Sequence, residues 1–197
     1  AVGCRNMILI TLGTGVGGGI VADGQLLEGV GGTGAEVGHT VLVLDGEDCT
    51  CGRKGCWEAY ASATALIRQG KRAAAAQPES LLAGYGEGLT GKDVFDAAAA
   101  GDAAAQAVVD RYCVYVAAGI TDLVNILGPE KVLIGGGISR QPLLLRMLND
   151  IYEQEIIIGH PYSEEQARSL PRPAIVPCRF HNEANQVGAL LGYRKSC

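Results

Sequence analysis

The chain is short of charge, of surplus basic residues and of any long apolar run, and each shortage removes a class of protein. Only 19% of its 197 residues are charged while 48% are apolar. That balance supports a sizeable core and argues against disorder, because a disordered chain cannot bury enough apolar surface to offset its conformational entropy. The 16 Lys and Arg are outnumbered by 21 Asp and Glu, for a formal net charge of −5. Such a surface is a poor match for nucleic acid or an anionic membrane. No stretch reaches the roughly eighteen apolar residues of a membrane helix, and no secretory leader pattern opens the sequence. The length suits one domain, or one large lobe of a two-lobed protein. A disulfide framework is lacking too. The cysteines number seven, and Cys4, Cys113, Cys178 and Cys197 are scattered without framework spacing, which predicts a reducing, cytoplasmic setting.

What is present is concentrated between Gly31 and Tyr60. There His39, Cys49, Cys51 and Cys56 crowd together, in a C-x-C followed by C-G-x-x-G-C. Thiolates and an imidazole are the donors a tetrahedral zinc ion takes, and Gly52 and Gly55 let the chain turn tightly between the sulfurs. The predicted ligand set is His39, Cys49, Cys51 and Cys56, with four protein ligands and so a structural role. Free buried thiols or a disulfide are the competing readings. For His39 to return to the sulfurs, Thr40–Leu44 is expected to form one arm of a short hairpin, bent at Asp45-Gly46. Two carboxylates flank this loop: Glu36 three residues before His39, and Glu58 two after Cys56. Held near a fixed metal and imidazole, they suit a ligand rich in hydroxyls, such as a sugar. The competing reading for Glu58 is a favourable charge at the start of the next helix.

Two glycine clusters stand apart from this loop. MILITL at 7–12 is a β-prone run, GTGVGGG follows, and Asp23-Gly24 marks a hairpin, so strand, turn, strand, turn, strand is expected. No helix follows the glycines as in a Rossmann turn, and no Gly-Lys-Ser/Thr makes a Walker loop. Backbone N–H groups at Gly15, Gly17 and Gly18, with the Thr14 hydroxyl, are nonetheless suited to oxyanions such as phosphates. The second cluster ends KVLIGGGIS, a buried strand running into Gly135, Gly136 and Gly137. Strand ends of open α/β sheets are where ligands bind, and three glycines admit a flat base or a ribose.

Helices are expected from Trp57 to about Lys71, then from Thr90 to about Ala100 with an Asp93 capping box, and from 103 to about 127. The last has Val108, Tyr112, Tyr115, Val116, Gly119, Ile120, Leu123, Ile126 and Leu127 inward, and Gly128-Pro129 ends it. Residues 73–89 look like a variable excursion. A helix over about 142–154, a strand at 174–177 and a final helix over 184–194 complete the reading.

G-x-x-G-A-E-x-G-H followed by C-x-C-G-x-x-G-C-x-E resembles the signature of the ROK family (repressors, open reading frames and kinases). CTCGRKGCWEAYASATAL is most similar to its bacterial glucokinases. The resemblance runs from about Met7 to about Ser139 and more loosely beyond. It implies an α/β fold of the actin/hexokinase (ribonuclease H-like) ATPase type with a zinc-binding loop. It implies zinc on His39, Cys49, Cys51 and Cys56, and sugar contacts at Glu36, His39 and Glu58. Nucleotide contacts at Thr14, Gly15, Gly17 and Gly18 and at Gly135, Gly136 and Gly137 follow from it, with ATP and Mg2+ as cofactors. Homodimers or larger homo-oligomers are common in the family. The tail HNEANQVGALLGY departs from the family pattern: Gly188, Ala189 and Gly192 stay small, but the residues before them differ, so His181 and Asn182 receive no ligand role. His160 reads as a surface residue.

Two family elements have no counterpart: the D-x-G-G-T phosphate loop with its magnesium-handling aspartate, and an aspartate base just before the LGTGVGGG hairpin. Asp45, Asp48, Asp93, Asp96, Asp102, Asp110 and Asp122 all fall in turns, caps or helix faces. Residues 1–197 are therefore expected to be the C-terminal lobe of a two-lobed hexose kinase, with glucose the foremost substrate, and to be catalytically poor alone. The alternatives are the sugar-sensing effector lobe of a ROK repressor and a zinc-stabilised domain without ligand. A phosphate loop favours the kinase, since a sensor does not need one.

Overall fold

The computed structural model describes residues 3–152 and 172–179. Its centre is a five-stranded sheet in the order β3-β2-β1-β4-β5. Strand β1 (Met7–Leu12) alternates buried Ile8, Ile10 and Leu12 with half-buried neighbours, the period of a strand with one face on the core. It runs antiparallel to β2 (Val16–Ala22), and β3 (Gln25–Leu26) follows after the Asp23-Gly24 turn. The strand–turn–strand–turn–strand reading of this segment is borne out.

After an irregular stretch come α1 (Glu58–Ala61), α2 (Ala63–Ala76), α3 (Gly91–Ala99) and α4 (Ala103–Leu127). Strand β4 (Lys131–Gly135) then pairs parallel with β1, α5 (Pro142–Ile151) crosses over, and β5 (Ala174–Pro177) pairs parallel with β4. Trp57, Phe95, Tyr112, Leu66 and Ile120 fill the space between helices and sheet, each 2% exposed or less. Full burial of such side chains stabilises by about 1.5–3 kcal/mol each. Trp57 donates to the Tyr115 carbonyl (2.8 Å) and Tyr112 to the Ala61 carbonyl (2.8 Å), so neither polar atom is stranded.

Local signals set several boundaries. Thr90 and Asp93 form the expected capping box on α3. Asp102 caps α4, and Gly128, left-handed at φ 52°, ends it.

Other expectations are corrected. Thr40–Leu44 is not a strand: only isolated bridges form, Val41 to Cys56 and Asp48 to Lys54. Both Leu42 and Val43 donate to the single Gly55 carbonyl (2.8 and 3.1 Å), so no ladder can propagate. The helix expected from Trp57 is broken at Ser62, whose extended backbone and side chain cap α2 instead, and α2 continues to Ala76. Residues 81–88 form 3-10 turns interrupted at Gly86 (φ 53°), with Leu82 buried. Ile126 is 75% exposed rather than inward, at the solvent side of the last turn of α4. Helix α5 covers Pro142–Ile151 as expected, and residues 153–154 of the expected helix lie outside the described residues. The readings of His160, His181, Asn182, Gly188, Ala189, Gly192 and Cys197, and of a final helix, lie outside the described residues. Among the described residues, no helix is long and apolar enough to cross a membrane.

Candidate functional site

Three pieces of chain meet at one end of β1. The first is the loop that gathers His39, Cys49, Cys51 and Cys56, whose donor atoms all lie within 4.8 Å of one another. His39 closes a 3-10 turn, Val37–His39. The sulfurs are brought round by Gly52 and Gly55, at φ 85° and 75°. At Gly55 a Cβ would lie 1.7 Å from the Val43 carbonyl, so that position admits glycine alone. Cys49 donates its N–H to the Arg53 carbonyl (2.9 Å) and accepts from the Gly52 N–H (3.0 Å). The Arg53 guanidinium donates to the His39 carbonyl (3.0 Å).

Cys51 and Cys56 sulfurs are 3.6 Å apart, and His39 Nδ1 is 3.6 Å from the Cys49 sulfur. Two zinc–sulfur bonds at a tetrahedral angle place sulfurs about 3.7 Å apart, whereas a disulfide needs about 2.05 Å. The set therefore fits a tetrahedral metal, and all the described cysteines are free thiols. Hydrogen bonds from Arg53, backbone first, hold the Cys51 thiol down to about 6. Burial pushes Cys56 up to about 12, and its cysteine neighbours add to the rise. A cation at the centre displaces the protons from all three.

The second piece carries the carboxylates. Glu36 is exposed and follows Ala35, whose backbone stands at φ 62°, a strained conformation for a residue with a Cβ. Glu58 lies half-buried at the start of α1. One of its oxygens accepts from the Val16 N–H (3.0 Å) and the other from the Thr50 hydroxyl (2.9 Å), with the Cys49 sulfur 3.9 Å away. The reading of Glu58 as only a helix-opening charge misses these contacts.

The third piece is the glycine turn between β1 and β2. Thr14 stands exposed at its tip. Gly13 accepts from the Ala63 N–H (2.7 Å) and Thr14 from the Thr64 hydroxyl (2.9 Å), so the start of α2 holds the turn. Gly17 and Gly18 lie within β2, opposite Thr11 and Ile10. Their missing side chains make room for protein: a Cβ at Gly15 would come 2.3 Å from Glu58, at Gly17 2.7 Å from Thr11, and at Gly18 2.6 Å from Ala35.

Gly135 ends β4 beside Thr11, and Gly136, at φ 86°, lets the chain approach the Leu12 carbonyl, which a Cβ would meet at 2.2 Å. A cavity of about 260 Å³ opens between the two glycine clusters, lined by Thr14, Gly137, Ile138, Gln141 and the first residues of α3, Thr90 to Lys92. Of the residues expected at a nucleotide, Thr14 and Gly137 line this cavity. Gly15, Gly17, Gly18, Gly135 and Gly136 shape its surroundings. The start of α3 as a third wall was missed. Its capping box was legible, but its place beside Thr14 depends on packing across about seventy-five residues of chain.

Comparison with known proteins gives a consistent result. The chain is 51% identical over 142 residues to a glucokinase of Halalkalibacterium halodurans, covering 70% of this chain and 43% of that protein. It superposes with a TM-score of 0.82 and 36% identity on a ROK family glucokinase from Streptomyces griseus solved with glucose and AMPPNP. That match covers 95% of this chain and 60% of the other. A ROK family transcriptional regulator, a homologue of the E. coli MLC protein, matches with a TM-score of 0.71 and 32% identity, over 95% of this chain and 45% of its own. The chain spans about half the length of the curated relatives it matches. A model of the ROK family matches residues 1–191, and with the ROK-type sheet and helices now in view the chain belongs to the ROK family.

Proposed function

We propose that this chain carries the sugar- and nucleotide-holding part of an ATP-dependent hexose kinase, with glucose as the foremost substrate. One observation carries the reading. Thr14, which lines the cavity with Gly137, sits on the same β1–β2 turn as Val16, whose N–H is bound by Glu58, and the other oxygen of Glu58 accepts from Thr50 in the cysteine loop. In this arrangement the nucleotide lies between the two glycine clusters, its phosphates toward Thr14 and its nucleoside toward Gly137. The sugar hydroxyls donate to Glu36 and Glu58, and His39, turned by Nδ1 toward Cys49, offers Nε2 to them. Zinc on His39, Cys49, Cys51 and Cys56 supplies a cross-link and no chemistry, since four protein ligands leave no open position. Mg2+ accompanies the nucleotide. What these residues contribute is position, which dominates phosphoryl transfer.

The reaction also needs an acceptor for the sugar hydroxyl proton. Among the described aspartates, Asp23 pairs with Arg5, Asp48 with Lys54 and Asp96 with Lys92, and Asp93 and Asp102 cap helices. Because the chain spans only about half the length of its curated relatives, we assign the base to an aspartate outside residues 1–197, which on this reading form the C-terminal lobe of a two-lobed kinase. Unpaired thiols support a cytoplasmic setting. Homo-oligomeric assembly is part of the proposal, as the family resemblance implies it.

The similarity to a ROK regulator supports a second reading, a sugar-sensing effector lobe. Hexose-dependent ADP production by the full-length gene product separates the two. The kinase reading expects turnover with glucose, reduced at least a hundredfold in kcat/KM by Glu36→Gln or Glu58→Gln. Glucose binding without any turnover would make the protein a sensor.

A further inference from the structure

Glu58 does more than face a sugar. Its two oxygens are committed to two different pieces of chain: the Val16 N–H at the start of β2, and the hydroxyl of Thr50, which sits between two cysteines of the cluster. Around this bridge the same two pieces touch without side chains between them. The Glu58 carboxylate packs where a Cβ of Gly15 would be, and a Cβ at Gly38, next to His39, would lie 2.1 Å from the Val16 carbonyl. The far side of the turn is held independently, by Ala63 and Thr64 of α2. The turn that carries Thr14 is thus clamped from two directions, and one of its two clamps is anchored in the cysteine loop.

We propose that Thr50 and Glu58 form a positioning brace through which the cysteine loop fixes the β1–β2 turn, and so helps set how well the turn holds a nucleotide. Thr50 touches neither sugar nor nucleotide on this account; it acts by aiming the Glu58 carboxylate at Val16. Loss of its hydroxyl leaves a carboxylate oxygen free to swing, and the Val16 amide loses its acceptor. A hydrogen bond to a charged group is strong enough for this to alter local opening by roughly tenfold. The link to nucleotide affinity rests on the kinase reading given above; the brace itself does not.

The test compares Thr50→Val, which keeps the shape and removes the hydroxyl, with Thr50→Ser, which restores it, in the full-length gene product. Metal content, amide hydrogen exchange at Val16 and affinity for ADP are read on each. The expected result is one metal per chain throughout. In Thr50→Val, Val16 exchange quickens roughly tenfold and ADP binding weakens several-fold, and both return to normal in Thr50→Ser. Unchanged Val16 protection in Thr50→Val overturns the brace, and so does loss of metal from that variant, which would place the hydroxyl in the folding of the loop instead. Quickened exchange in a protein that binds no ADP even as wild type upholds the brace and contradicts the nucleotide site.

Discussion

The cysteine loop and the α3–α4 helices are built on opposite principles. Between Thr40 and Cys56 there is no strand beyond isolated bridges, and Val41 and Leu44 face solvent at 49% and 84%. Order there comes from tight turns at Gly52 and Gly55 and from four side chains that converge on one point. The helices instead bury Phe95, Tyr112, Val116 and Ile120 almost completely and close their ends with Thr90, Asp102 and Gly128. A loop without a core can be rigid only if something other than burial holds it, and on the proposed reading that is a metal held by the four converging side chains. His39 lies in this loop, and Glu36 and Glu58, which the proposal places with it at the sugar, flank it.

The largest effect that separates the regions is metal removal. A strong chelator at neutral pH should abolish amide protection over residues 40–56 while leaving that of α4 within a few-fold of its original value. Equal loss in both would mean that loop and helices are one cooperative unit, and the contrast would collapse.

A smaller change reaches the loop from the helix side. Gly119 in α4 faces Trp57, which follows the ligand Cys56, and a Cβ there would lie 2.1 Å from the indole ring. Gly119→Ala should therefore cost about 1–3 kcal/mol of stability by overpacking, measured by urea unfolding. Metal content should stay at one per chain. A drop would show that helix packing, not the ligands alone, shapes the loop.

The smallest effect belongs to the helices by themselves. Asp102 accepts from the N–H groups of Ala105 (2.8 Å) and Leu81 (2.7 Å) and from the Ser80 hydroxyl (2.9 Å). The Ala105 N–H most of all holds its carboxyl below the usual aspartate range. With the folded value below the unfolded one, its stabilisation is complete above about pH 4, the ordinary aspartate value, and fades as pH falls through the lower folded value. Asp102→Ala should cost about 1 kcal/mol at pH 7, with the gap between variant and wild type closing in acid. A gap independent of pH would show that the charge plays no part.

The same contrast explains what could be read in the sequence. Helix α4 was legible from Ala103 to Leu127 because its cap, its stop and its apolar spacing are local signals. The convergence of His39, Cys49, Cys51 and Cys56 was legible because sulfur and imidazole at that spacing have few other uses. Its backbone path was not: TVLVL has the apolar, β-branched composition of a strand, yet Leu42 and Val43 both donate to the Gly55 carbonyl instead of forming a ladder. The approach of α3 to Thr14 and the commitment of Glu58 to Val16 join residues far apart in the chain, and no local pattern announces them.

The most direct measurement is X-ray absorption at the zinc edge on the purified protein, with zinc content determined on the same sample. A cross-link of the kind described gives one zinc per chain, with three sulfur neighbours near 2.3 Å, one nitrogen near 2.0 Å and no bound water. A protein without zinc and with its cysteines paired, or an ion with fewer than three sulfurs and an open position, would contradict it.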